Sequence, residues 1–193
     1  MRMYLKTFSK AFLLLIYVVS IGGQANAKSE KMDLLDLSRE NADISMGTWE
    51  HNILDAGQSV RHEIDQAAGE VKVCFDVNSS SPAMGGYWLK INGHDLSGYE
   101  SLHLKLKAES DPPFSGNVAL QFTDKDNRKA PYILSGVRSE WKDFEVPLQK
   151  FRRIRDWSSV KTFEIVIDDI HARPKEGILF VKEIFVLKGG FPK

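Results

Sequence analysis

The chain has 193 residues, with 26 lysines and arginines against 26 aspartates and glutamates, and a single cysteine, Cys74. Such a balance argues against nucleic acid as the main partner, because that binding rests on a surplus of cations that neutralises phosphates. One cysteine excludes an internal disulfide, and Cys74 is expected as a small buried apolar side chain.

At the N-terminus Arg2, Lys6 and Lys10 precede the apolar run AFLLLIYVVSI, Ala11 to Ile21, and the small-x-small triplet Ala25 to Ala27. This is the layout of a cleaved export signal over residues 1–27. Its apolar part is shorter than the roughly 20 residues that span a bilayer. The expectation is an exported protein, periplasmic or extracellular, with no stable membrane insertion after cleavage and one β-sandwich over residues 28–193. The leader carries three basic residues and no acidic one, so residues 28–193 have a net charge of −3.

MDLLDL, Met32 to Leu37, reads as a strand pairing at an edge. From Val71 onward period two dominates. VKVCFDV sets Val71, Val73, Phe75 and Val77 against Lys72, Cys74 and Asp76; SLHLKLKA sets Leu102, Leu104 and Leu106 against His103, Lys105 and Lys107. NVALQFTD, DFEVPL and KTFEIVID continue the alternation, and GILFVKEIFVLK reads as a strand apolar on both faces. Turn residues separate the runs at Asn92-Gly93, Asp111-Pro112-Pro113, Ser115-Gly116, Asp126-Asn127 and Lys175-Glu176-Gly177. Helix is confined to one short turn near PLQKFRRIRDW. Many short strands with such turns predict an all-β protein, an antiparallel β-sandwich or jelly roll.

No nucleophile elbow, phosphate loop or H-E-x-x-H pattern occurs, and the five histidines have no ligand spacing. Asp168-Asp169 reads as a strand-end turn, since adjacent strand residues point to opposite faces. The sequence is therefore not read as an enzyme. A jelly-roll lyase using tyrosine, histidine and arginine is the residual catalytic alternative, with no spacing to support it. Among the tryptophans, Trp141 opens a strand and reads as structural. Trp49 and Trp157 stand beside charged and turn residues, as rim packing or as flat rings for a sugar face. KFRRIRD reads either as a solvated loop or as a holder of hydroxyls or carboxylates by guanidinium contacts.

The succession GYW, DLSGYESLHLKLKA, EWKDFEVPLQKFRR, SVKTFEIVI and GILFVKEIFVL resembles the galactose-binding-like jelly-roll carbohydrate-binding modules, family 11 in particular. Domains of the complex I intermediate-associated type look similar. The likeness covers about Asp33 to Leu187. It implies non-catalytic binding of a polysaccharide, β-glucan-like or acidic, in a cleft on a concave sheet. By the family's motifs, Trp49, Tyr87 and Trp157 match its stacking aromatics, which puts Tyr87 toward ligand and Trp88 toward packing. Ile154 stands where the family has a ligand-contacting arginine, so Arg153 and Arg155 are the polar contacts expected there, with Glu164 on the strand that follows. No cofactor is implied beyond a structural calcium at the first and last strands. Asp33, Asp36 and Glu183 are the carboxylates available for it, while Lys182 occupies the place of a usual aspartate. The alternative use of the fold is an exported protein-interaction or assembly module with a protein partner and no sugar binding.

Overall fold

A computed structural model of the protein describes residues 30–37, 45–51, 59–79 and 82–189; the leader reading falls outside them. Among the described residues eleven strands follow in chain order: β1 (Lys31–Asp33), β2 (Met46–His51), β3 (Ser59–Asp65), β4 (Glu70–Asp76), β5 (Met84–Lys90), β6 (Ser101–Glu109), β7 (Asn117–Asp124), β8 (Lys129–Ser135), β9 (Lys142–Pro147), β10 (Val160–Asp168) and β11 (Glu176–Leu187). A 3-10 turn, Leu148–Lys150, follows β9, which is where the sequence leaves room for helix.

All pairing is antiparallel, in two sheets. The first has the order β3-β4-β11-β6-β9, with β1 also paired to β11, and the second the order β2-β5-β10-β7-β8. They make the sandwich expected from the period-two pattern. Inner positions are the apolar members of each alternation: Val71, Val73 and Phe75 on β4, Leu102, Leu104 and Leu106 on β6, Val118, Leu120 and Phe122 on β7, and Phe163, Ile165 and Ile167 on β10 are all buried. Truncating a fully enclosed ring such as Phe122 costs about 3–5 kcal/mol. β11 pairs on both sides, and a bulge between Val181 and Glu183 shifts its register, so Leu179 and Val181 before it and Ile184 and Val186 after it all reach the core. Pro131 lies in β8, which among the described residues pairs only with β7, an edge where a missing ladder donor is tolerated.

Cys74 departs from expectation. It is half-buried, opposite Arg61 and Ile178 on the outer face of the first sheet, because Val73 and Phe75 take the inward positions. Asp168 does close a strand-end turn: it accepts hydrogen bonds from the Ile170 and His171 amides, and the His171 ring lies 2.8 Å away.

The outer face of the first sheet is covered by its own cations. Lys107 lies 4.2 Å from the Phe180 ring centre and 5.3 Å from that of Trp141, Lys31 lies 4.2 Å from Phe185, and His103 stacks flat on Phe185. Trp141, half-buried on this face, has Lys107 and Lys182 over its ring and stands edge-on to Phe180.

Candidate functional site

The outer face of the second sheet is built differently, and its register can be read row by row across the strands. One row runs Trp49, Gly86, Val166, Ala119, Ile133; the next runs Gly47, Trp88, Glu164, Gln121, Pro131. Beyond it Lys90 stands opposite Thr162, Thr162 opposite Thr123, and Thr123 opposite Lys129. The face is therefore apolar along one row, aromatic and polar along the middle, and hydroxyl-bearing with a lysine at each end along the third.

The two tryptophans lie on adjacent strands, each opposite a glycine. A Cβ on Gly86 would come 2.8 Å from Trp49 Nε1, and one on Gly47 would come 2.7 Å from the Trp88 ring. Glycine at these two positions is what lets both rings lie close over the backbone. Trp49 Nε1 is buried with no hydrogen-bond acceptor among the described residues.

Lys129 and Trp49 come from opposite edge strands, yet the Lys129 ammonium lies 5.7 Å from the Trp49 ring centre. Five flat strands would hold the edges about 19 Å apart. The sheet therefore curls over its own outer face, which makes that face a groove.

Glu164 is at the centre of the groove and only 7% exposed. Its carboxylate accepts hydrogen bonds from Gln121 Nε2 at 3.1 Å, Thr162 Oγ1 at 3.2 Å and Thr123 Oγ1 at 3.3 Å. A buried carboxylate is retained at a cost unless it is hydrogen-bonded; here three neutral donors hold it without a cation. Beside it an open cleft of about 590 Å³ is lined by Trp88, Lys90, Asn92, Gly93, Lys161 and Thr162. The Asn92-Gly93 turn, with both residues at positive φ, forms the end of this cleft.

Tyr87 is on the wrong side of its strand for a ligand. It is 1% exposed, opposite Thr48 and Ile165 on the inner face, and its hydroxyl lies 3.0 Å from Met46 Sδ. Burial pushes its pKa well above the usual phenol range. The expected roles are exchanged: Tyr87 packs and Trp88, half-buried, faces out. Trp157 is half-buried and lies outside the rows of this face. It packs edge-on against Phe122 at 5.2 Å and Phe151 at 6.3 Å, at one margin of the core. Ile154 is buried on the same loop, which turns Arg153 and Arg155 out to solvent, where neither has a hydrogen bond or ion pair with a described residue that would bring it to Trp49 or Glu164.

The three carboxylates named for calcium do not form one site. Asp33 pairs with Lys31 at 2.8 Å and lines, with Asp36, Ser45, Lys90, Asn92 and His94, a cavity of about 50 Å³. Glu183 is exposed at the β11 bulge and is not part of that lining. Among the described residues no group of three or more histidine, cysteine, aspartate or glutamate side chains is placed to hold a metal ion.

No protein-family model matches the sequence, and no curated protein matches it. Solved structures do. A family 11 carbohydrate-binding module of a cellulosomal cellulase from Clostridium thermocellum superposes with a TM-score of 0.60 at 12% identity, over 83% of this chain and 95% of that one. A family 11 module from the same organism, in complex with a β-1,3-1,4-mixed-linked tetrasaccharide, gives a TM-score of 0.60 at 14% identity, over 84% of this chain and 98% of that one. The chain has the family 11 carbohydrate-binding-module fold. An exo-β-agarase carries a similar domain, matched at a TM-score of 0.59 and 11% identity over 83% of this chain but 25% of the agarase.

Lys90, Gln121, Lys129, Thr123 and Thr162 are additions to the residues named from sequence, and Trp88 changes from a packing to a groove-facing residue. On the family 11 fold this sheet face carries Trp49 and Glu164, two of the residues singled out in advance, beside Trp88.

Proposed function

We propose that the protein is an exported, non-catalytic carbohydrate-binding module that takes a polysaccharide chain along the groove of the second sheet. The observation that carries this reading is the middle row of the groove: a half-exposed tryptophan ring directly opposite a buried, hydrogen-bonded carboxylate. A flat ring suits the apolar C–H face of a sugar, and a fixed acceptor suits its hydroxyls. The fold shared with family 11 modules supports the same reading. In it Trp88 is the stacking ring, Trp49 extends the apolar floor, and Glu164 with Gln121 and the two threonines supplies polar contacts. The residues described contain no arrangement of nucleophile, base and orienting group in this groove, and no chemical step is assigned to it. Export rests on the leader pattern of residues 1–27.

The test is native electrophoresis of residues 28–193 through gels containing soluble polysaccharides, neutral β-glucans and acidic polymers side by side. Retardation by at least one polymer, lost in Trp88→Ala and kept in a surface variant such as Lys150→Ala, is the expected result. Migration unaltered by every polymer removes the glycan reading and leaves the fold to a protein-interaction role.

A further inference from the structure

The groove sorts its charges. The cleft beside Trp88 is lined by two lysines, Lys90 and Lys161, with Asn92, Gly93 and Thr162, and by no carboxylate among the described residues. A third ammonium, that of Lys129, reaches into the same groove over Trp49. Lys161 donates to the Asn127 side-chain carbonyl at 2.9 Å, a neutral partner that leaves its charge uncompensated. The one carboxylate in the rows facing this cleft, Glu164, is buried and already accepts three hydrogen bonds. Elsewhere on the sandwich Lys72 pairs with Asp65, Lys125 with Asp156 and Lys188 with Glu30, while Lys107 lies on Phe180 much as Lys129 lies on Trp49. Trp141 on the other sheet also has two lysines over its ring, Lys107 and Lys182; what sets the groove apart is a cleft, lined by two lysines and by no carboxylate, in which the chain's formal charge of zero is locally unbalanced.

We propose that the cleft takes an anionic polysaccharide, one whose sugars carry a carboxylate or sulfate group, with Trp88 stacked on a sugar face and Lys90 and Lys161 on its acidic substituents. This rests on the glycan reading of the groove and narrows it. Cations lining a concave surface raise the local concentration of an anionic chain and pair with it as it seats. Lys90 stands between this cleft and the small cavity that Asp33 and Asp36 line, so Lys161 is the ammonium a neutral glucan would leave without a charged partner; an anionic chain supplies one. Lys129 belongs to the same set, since an anionic substituent lying over the groove floor would draw its ammonium from the Trp49 ring.

The experiment compares retention of wild type, Trp88→Ala and the double variant Lys90→Gln/Lys161→Gln in gels carrying a polyuronate, the same polymer with its carboxyls reduced to alcohols, a sulfated galactan, its desulfated form, and a neutral mixed-linkage β-glucan. Both lysines are exposed, so the double variant keeps its fold. The expected result is binding to the polyuronate or the sulfated galactan that weakens roughly tenfold in the uncharged counterpart and in the double variant, the size of two lost ion pairs. Which anionic polymer binds more tightly identifies the substituent. Equal retention by charged and uncharged forms, unaffected by the lysine changes but lost in Trp88→Ala, overturns the anionic proposal and leaves the glycan reading standing. Failure of every polymer overturns both.

Discussion

The Trp88 ring lies over Gly47 on the neighbouring strand, so closely that a Cβ there would meet it at 2.7 Å. The glycine fixes how flat the ring lies, and so what it presents to the groove. Gly47→Ala is expected to tilt Trp88, weaken glycan retention and shift tryptophan fluorescence. The stability loss from crowding a half-exposed ring should be about 1 kcal/mol, a fall in Tm of about 2–4 °C. Retention equal to wild type with a tilted ring would remove Trp88 as a stacking platform.

Glu164→Ala leaves Gln121, Thr123 and Thr162 without their shared acceptor and should cost about 1–3 kcal/mol in chemical denaturation. Glu164→Gln keeps an oxygen in place and should cost less. Weakened glycan binding in the glutamine variant, at near-normal stability, is the outcome expected of a carboxylate that meets ligand. Normal binding in both variants would make Glu164 a structural acceptor only.

Trp157→Ala separates packing from recognition. Loss of a ring wedged against Phe122 and Phe151 is expected to destabilise the sandwich by about 3 kcal/mol, read from denaturant midpoints. Retention measured well below the lowered Tm should match wild type.

The loop carrying Trp157 is tied down beside it by Asp156, whose carboxylate receives Lys125 Nζ at 2.8 Å as well as the Ser158 hydroxyl and amide. These contacts, the Lys125 hydrogen bond foremost, hold its pKa far below the ordinary 3.8. A carboxyl depressed in the folded state stabilises it above the unfolded value and loses that contribution as pH falls toward the folded one. Thermal melts should show wild type above Asp156→Asn near neutrality, with the gap closing as pH falls below 3.8. A gap constant down to acid would show that the pair contributes nothing pH-dependent.

The strands were legible because each buries one face: Val71 to Phe75, Leu102 to Leu106 and Phe163 to Ile167 announce their inward positions by alternation alone. Parity also spoke for Trp88. Tyr87 shares its phase with Leu89 and Ile91, both buried, whereas Trp88 shares its phase with Lys90, which is exposed. A family motif that favours the tyrosine pulled the other way. Trp157 was hidden for a different reason. Its neighbours Arg155, Asp156 and Ser158 read as solvated loop, and the rings that bury it, Phe122 and Phe151, are contributed by distant elements. The groove itself depends on register, which sets Gly47 against Trp88 and Trp88 against Glu164, and single-strand patterns do not carry that pairing.

Tryptophan oxidation, mapped by peptide mass spectrometry with and without a retained polysaccharide, tests the account most directly, because the four rings occupy distinct places. Trp88 should be oxidised in the free protein and protected when the polymer is bound, while Trp141 on the opposite sheet and Trp157 at the core margin keep their free-state reactivity. Protection of Trp141 or Trp157 with Trp88 unaffected would place the ligand elsewhere and contradict the assignment of the groove.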